Sequence, residues 1–422
     1  MNRELLKVLL PAILMVAAAF FVAYRFIEPA PPRAFTFAAG AEGGAYLAYA
    51  RQYQAVLARE GIEVTILETA GSSENIALIE SGQADVGLVQ TGIPLPEEHR
   101  AEGLAALYYE PLWLFTRSEL AITQMPQLAG LRVAVGVSGS GTRSVVDSLL
   151  TEHEMSLSDL EAFELTGDQL HEAIEHAALD AIFMVGGLTS AGVQNMLQRA
   201  DWIIAEFELA TALARRLPYL EVVTVPRGLL NPASDLPERD LNVLSPVASL
   251  VAHSDFHPAL VDLLLTAAQA VHANGDILSH TGTFPGPAPV AAPLSAEADR
   301  FFSSGLPFLK RVLPFWAATL IARAWVMIIP LLTILIPLFK ILPPAYHWRL
   351  RSQLFRLYKR LKAIDQERIE EGNEADVAKL LAGVEAIENE TQSLTVPLSY
   401  ADRVYQLKLH TRFVRDQLTQ TD

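Results

Sequence analysis

Three turns rich in glycine and hydroxyl side chains have the composition of an anion cradle. They are Gly40-Ala-Glu-Gly43-Gly44-Ala-Tyr46, Thr69-Ala-Gly71-Ser72-Ser73-Glu74-Asn75, and Gly136-Val-Ser138-Gly139-Ser140-Gly141-Thr142-Arg143. Each follows a short strand-like run and leads into a helix-like segment. Backbone N–H groups at a helix start, joined by hydroxyls, hold a small anion or carboxylate. Arg143 would add a charge-assisted pair. The plain alternatives are a tight turn with Tyr46 in the core, and an ordinary helix cap on Ser72 or Ser73. Gln90-Thr91 and Val185-Gly186-Gly187-Leu188-Thr189 close two further strand-like runs and are compatible with a cleft lining.

The same residues exclude several chemistries. The third turn lacks the Gly-Lys-Ser/Thr ending of a phosphate loop, and its serines do not fit G-x-S-x-G. The chain has no cysteine, so thiolate metal sites, disulfides and a cysteine nucleophile are absent. His171 and His176, five positions apart, would point to different faces of a helix and match no metal motif. His253, His257, His272 and His280 are dispersed. No cofactor site, metal site or catalytic constellation is apparent.

Strands and helices must alternate to place these turns. Phe35–Ala38 reads as a strand, and Tyr46–Glu60 as a helix ended by Gly61. Ile62–Ile66 is a strand, Ser72–Ser81 a helix and Val86–Val89 a buried strand. Leu112–Phe115, Arg132–Val135, Ala181–Val185 and Val247–Val251 continue the series. Such alternation predicts an α/β fold of open, mostly parallel sheets. Its length predicts two lobes, with the ligand crevice at the carboxyl ends of the strands.

Charge is uneven along the 422 residues. Arg33 to Gly305 carries 34 Asp and Glu against 13 Arg and no Lys, a net of −21, whereas Leu306 to the end carries 16 Lys and Arg against 12 acids, a net of +4. The acidic part is unsuited to nucleic acid. Two apolar segments frame it. Val8–Tyr24 reads as a signal peptide or an uncleaved anchor, and its run through Phe20-Phe21-Val22 beyond Ala17-Ala18-Ala19 favours the anchor. Ala324–Phe339, bounded by Arg323 and Lys340, rises roughly 24 Å and predicts a membrane span. Seven Lys and Arg between Lys340 and Lys362 predict that the C-terminal tail is cytoplasmic.

In order and spacing, Gly43-Gly44-x-Tyr46, Gly71-Ser72-x-Glu74-Asn75 with Gly82-x-Ala84-Asp85, Ser138-Gly-Ser140-Gly-Thr142, and Asp180–Phe183 leading to Gly186-Gly187 resemble the TAXI family of TRAP transporter solute receptors along nearly all of residues 34–305. The resemblance implies a type II periplasmic-binding-protein fold. It implies lobe 1 over residues 33–115 and 248–305, and lobe 2 over 116–247, with hinges near Leu112–Arg117 and Val243–Val251. By position, Gly44, Tyr46, Thr69, Ser72, Asn75, Gln90, Ser138, Ser140, Thr142, Arg143 and Gly187 would line the cleft. The implied ligand is a small organic anion: a dicarboxylate, 2-oxo acid or acidic amino acid. The implied partner is an ion-driven TRAP-type permease subunit in the inner membrane.

The chain departs from that family in its anchors, residues 1–32 and 306–342, and in a tail over 343–422. There, Leu350, Leu354, Leu357, Leu361 and Ile364, then Val377, Leu380, Val384 and Ile387, then Val404, Leu407, Val414 and Leu418 recur at helical spacing, with breaks at Gly372-Asn373 and Pro397. These predict a helical hairpin or bundle. It would either rest on membrane lipid or serve a homo-oligomer or partner. A membrane-tethered sensor signalling through this tail is the alternative function.

Overall fold

A computed structural model describes residues 3–25, 29–120, 122–188, 190–371, 376–394 and 396–419. Thr189 and Gly372-Asn373 lie outside the described residues. The chain forms two compact units, Ala30–Thr319, and Met1–Pro29 with Leu320–Asp422.

Helix α1 (Arg3–Tyr24) begins the chain. Lobe 1 then opens with β1 (Ala34–Ala38), α2 (Ala45–Ala58), β2 (Glu63–Leu67), α3 (Ser72–Glu80), β3 (Val86–Gln90) and β4 (Ala101–Tyr109). The chain crosses through Glu110-Pro111 into lobe 2. This lobe comprises β5 (Leu112–Arg117), β6 (Arg132–Ala134), α4 (Gly141–Glu152), β7 (Glu161–Phe163), α5 (Gly167–Glu175), β8 (Ala181–Val185), α6 (Ala191–Leu197), β9 (Trp202–Ala205), α7 (Ala210–Arg216), β10 (Glu221–Val225) and β11 (Leu241–Ser245). A return through Pro246 gives β12 (Val247–His253), α8 (Pro258–His272) and α9 (Ala296–Ser304), again in lobe 1.

Beside a two-stranded sheet of β10 and β11, the two five-stranded sheets share one plan. Lobe 1 has the order β2-β1-β3-β12-β4 and lobe 2 the order β7-β6-β8-β5-β9. In each, a parallel βαβαβ unit forms one side, and the fourth strand arrives from the crossover between lobes. β12 runs antiparallel to β3 and β4, and β5 antiparallel to β8 and β9. The sheets are therefore mixed rather than mostly parallel. Leu112-Trp-Leu-Phe115 shows how the crossover strand is held. Leu112 and Leu114 pack into one core, and Trp113 and Phe115 into another, so the strand is buried on both faces. This continuous apolar run is what a central strand requires. Lobe 1 packs α2 and α8 on its sheet around Phe37, Tyr53, Leu57, Leu104 and Leu264.

The linker after α9 is fastened to lobe 1. Lys310, in the short helix α10 (Phe308–Val312), bonds at 2.5 Å to the carboxylate of Asp262 on α8, which is 2% exposed; Arg300 approaches the same group at 3.3 Å. Lys310 therefore faces a buried carboxylate.

The other unit contains α1, most of the 57-residue helix α11 (Phe315–Glu371), α12 (Val377–Ser393) and α13 (Ala401–Thr419). Leu354, Leu357 and Leu361 of α11 pack with Leu380, Val384 and Ile387 of α12 and with Leu407, Val414 and Leu418 of α13. The heptad-like spacing places these residues on one face of each helix. Pro397 caps a short 3₁₀ turn between α12 and α13. Among the described residues, one helix is long and apolar enough to cross a membrane, over Leu331–Glu371, while Leu10–Val22 forms a shorter apolar helix.

Candidate functional site

The first glycine turn opens α2. Gly44 is its N-cap and uses no side-chain bond, and Gly43 has φ +78°. A Cβ at Gly44 would lie 3.0 Å from the Ala41 carbonyl oxygen, so the turn is shaped by the absence of a side chain. An uncapped helix start presents its first N–H groups to whatever faces it.

Behind this turn lies a buried polar seam. The Tyr46 hydroxyl donates to Glu110 Oε2 at 2.8 Å and lies 3.3 Å from Ser72 Oγ, which accepts from the Gln90 N–H at 2.9 Å. Glu110 is 7% exposed. Burial pushes its carboxyl up to about 7, partly offset by the Tyr46 bond. Burial first, then the Glu110 charge, raises the Tyr46 hydroxyl well above its ordinary range. Sequence reasoning did not single out Glu110. Its position at the junction of two apolar runs was the available signal.

Thr69 and Asn75 are turned to the sheet. Asn75 Nδ2 donates to the carbonyls of Ala39 and Leu88, and its Oδ1 accepts from Thr69 Oγ1 at 2.6 Å. Both residues are buried. They tie the ends of β1 and β3 to the start of α3, which positions Ser72 and Gln90.

The third turn opens α4. Ser140 is the N-cap, accepting from the Arg143 N–H at 3.2 Å, and Thr142 Oγ1 accepts from the Val185 N–H at 3.1 Å. Ser138 is exposed, and its N–H donates to Glu164. Arg143 pairs with Asp147 at 2.8 Å and Glu164 at 2.6 Å. Its guanidinium thus clamps the loop to carboxylates of its own lobe.

The lobes meet where these turns converge. Gln90 Nε2 donates to the Gly141 carbonyl at 3.1 Å, and Ser144 Oγ to the Gly92 carbonyl at 3.1 Å. Thr91 Oγ1 donates to the Tyr219 carbonyl and accepts from the Val247 N–H. A Cβ at Gly141 would fall 2.2 Å from Gln90 Oε1, and one at Gly92 only 2.4 Å from the Tyr219 ring. Glycine at both positions lets the lobes approach this closely.

Two cavities flank this contact. One, of about 620 Å³, lies between the lobes. Gly43, Gly44 and Tyr49 of α2 and its leading turn face Gly187, Ser190 and Gln194 of lobe 2, with Tyr108, Tyr109 and Asp276 at its side. The other, of about 510 Å³, lies within lobe 2, where Ser140 and Thr142 share the wall with Asp168, His171, Asn195 and Arg199 over an apolar floor that includes Phe183 and Met184. Ser190 and Ala191 border both. The eleven residues expected to line one cleft are thus distributed. Gly44 and Gly187 border the interlobe cavity, and Ser140 and Thr142 the lobe 2 cavity. Tyr46, Ser72 and Gln90 form the seam, Thr69 and Asn75 brace it, and Ser138 and Arg143 belong to the outer loop. His171, expected on a solvated helix surface, also borders the lobe 2 cavity. Tyr49, Tyr108, Tyr109 and Asp276 border the interlobe cavity without having been foreseen.

A model of the NMT1-like family matches residues 37–268, more than half of the chain. Among solved structures, the chain is similar to the alkanesulfonate-binding protein SsuA from Xanthomonas axonopodis pv. citri, at 15% identity, covering 69% of this chain and 99% of that one, with a TM-score of 0.38. It is also similar to the periplasmic aliphatic sulphonate binding protein SsuA from Escherichia coli, at 13% identity, covering 75% and 84%, with a TM-score of 0.39.

Proposed function

The chain belongs to the NMT1-like family, and from that premise we propose that its two-lobed domain is an extracytoplasmic solute receptor rather than an enzyme. The observation that carries this reading is the interlobe cavity of about 620 Å³, walled by the glycine turn of α2 on one lobe and by Gly187 and Ser190 on the other. A small solute with a carboxylate would set it against the uncapped start of α2. Hinge motion at Glu110-Pro111 and Ser245-Pro246 would open and close the lobes around it. The chain would be held to the inner membrane by α1 and by the apolar part of α11, with α12 and α13 on the cytoplasmic side. It would deliver its solute to a TRAP-type permease. The resemblance to TAXI receptors supports that last step.

A second reading has its own support. Helix α11 is one continuous element from Phe315 to Glu371 and supplies Leu354, Leu357 and Leu361 to the helical bundle. A sensor would use such a helix to carry lobe closure to the tail.

The test is a thermal-shift screen of the full chain in detergent against dicarboxylates, 2-oxo acids, amino acids and amines. A ligand that binds only the folded state raises the melting temperature. A shift with one class, without turnover of the ligand, supports the receptor reading. A flat response across all four classes overturns it. Deleting residues 376–422 separates the two roles: uptake survives in a transport receptor, and a signalling output is lost in a sensor.

A further inference from the structure

We propose that the interlobe cavity selects a solute carrying a positively charged nitrogen on an apolar body and disfavours dicarboxylates; this rests on the receptor reading above and narrows its ligand. Three observations lead there. The described residues lining the cavity include no Lys or Arg, and their one ionisable acid is Asp276. The wall is aromatic, formed by the rings of Tyr49, Tyr108 and Tyr109, with Ile277 and Leu278 beside them. Tyr108 is 5% exposed, and its hydroxyl, itself buried, has no hydrogen-bond partner among the described residues, so an unpaired polar group lies just inside this wall.

A second carboxylate on the ligand would need a cation, and three arginines of lobe 2 are already paired with carboxylates of their own lobe. Arg143 pairs with Asp147 and Glu164, Arg117 with Asp201, and Arg199 with Glu175. The domain's net charge of −21 over Arg33–Gly305 repels a dianion at long range and attracts a cation. An ammonium over tyrosine faces, within reach of a carboxylate, is favoured by the ring quadrupole and by Coulomb attraction. Buried Glu110, behind the wall and bonded to Tyr46, adds to the negative potential when ionised. The apolar body of the ligand would fill the space between Tyr109 and Leu278. A cavity of about 620 Å³ also exceeds what a four-carbon dianion occupies and lies in the range of larger ligands.

The experiment is isothermal titration of the full chain in detergent with 2-phenylethylamine, L-phenylalanine, 3-phenylpropionate and succinate. The two nitrogen-bearing probes should bind at least tenfold tighter than 3-phenylpropionate and succinate. Asp276→Asn retains the Oδ1 acceptor for the Leu278 N–H and the Ser279 hydroxyl, so the loop should fold. This variant should lose about tenfold in affinity for the amines, and Tyr109→Leu should lose a similar factor. The proposal is overturned if succinate or 3-phenylpropionate binds as tightly as the amines, if none of the four binds, or if Asp276→Asn leaves amine affinity unchanged. Succinate binding would overturn the charge preference while leaving the receptor reading standing. Failure of every class in the thermal screen would remove both.

Discussion

Tyr46 and Glu110 are joined by a 2.8 Å hydrogen bond that links the first turn of α2 to the crossover between the lobes. A titratable group therefore sits at the point where the chain would bend, and its partner Tyr46 closes the glycine turn that borders the interlobe cavity.

Stability should fall with pH because of Glu110. Its folded carboxyl is raised to about 7 from 4.5 by burial, so between those values the unfolded state binds fewer protons than the folded one. The folded state is thus penalised progressively from about pH 4.5 to 7, by up to about 3 kcal/mol. Glu110→Gln keeps an acceptor for Tyr46 and removes the charge. It should match the parent at pH 4.5 and exceed it in melting temperature at pH 8. Equal melting curves at pH 8 would count against the burial of this charge.

Gly92→Ala should hold the lobes apart. The added methyl group would lie 2.4 Å from the Tyr219 ring, at a backbone φ of +87° that L residues rarely adopt. The chain has no cysteine, so Gln52→Cys with Glu172→Cys provides a clean pair of spin-label sites, one on each lobe. Electron–electron distance measurements should show a longer separation in Gly92→Ala than in its parent. An unchanged distance distribution would show that the contact is not closed in solution.

Lys310→Met should destabilise lobe 1 more than Arg300→Met. Asp262 is 2% exposed, and Lys310 reaches it at 2.5 Å, while Arg300 is half-exposed and lies at 3.3 Å. Removing one partner of a buried pair costs about 3–5 kcal/mol, because the other charge is left uncompensated. Denaturant titration of both variants and of Asp262→Asn/Lys310→Met checks this; the double variant should recover part of the loss.

Asn75→Ala should cost about 2–4 kcal/mol, since it leaves the carbonyls of Ala39 and Leu88 and the Thr69 hydroxyl without their shared partner. If Asn75 acts as a brace, any ligand affinity should weaken in step with the loss of stability. Retained stability with abolished binding would instead assign it to direct ligand contact.

Much of the architecture was legible in the chain. The leucine and valine spacing in α11, α12 and α13 marks the buried faces of the bundle, because a helix returns to one side every three or four residues. The strand runs were visible for a similar reason. Their directions were not: Leu112–Phe115 and Val247–Val251 are buried on both faces, and such a run reads alike whether its neighbours are parallel or antiparallel. The site was less legible still. Gln90 meets Gly141 across 51 positions, and nothing local records that the two turns seal against one another. Arg143 looked available for a ligand because its clamp, Glu164, lies on the loop after another strand. Glu110 drew no notice in the sequence, because its burial depends on distant residues: Tyr46 bonds its carboxylate and the Pro246 carbonyl accepts from its N–H.

The exchange of crossover strands bears on how the chain folds as it is made. Lobe 2 has all five strands of its main sheet once Ala205 has emerged, whereas the lobe 1 sheet lacks its fourth until β12, at Val247–His253, is synthesised. At roughly 5–20 residues per second, β3 and β4 would wait several seconds or more with facing edges unfilled. Exposed edges of that kind recruit other strands. Nascent chains halted between residues 206 and 246 should therefore depend most on chaperones, although the lobe written second is by then able to close.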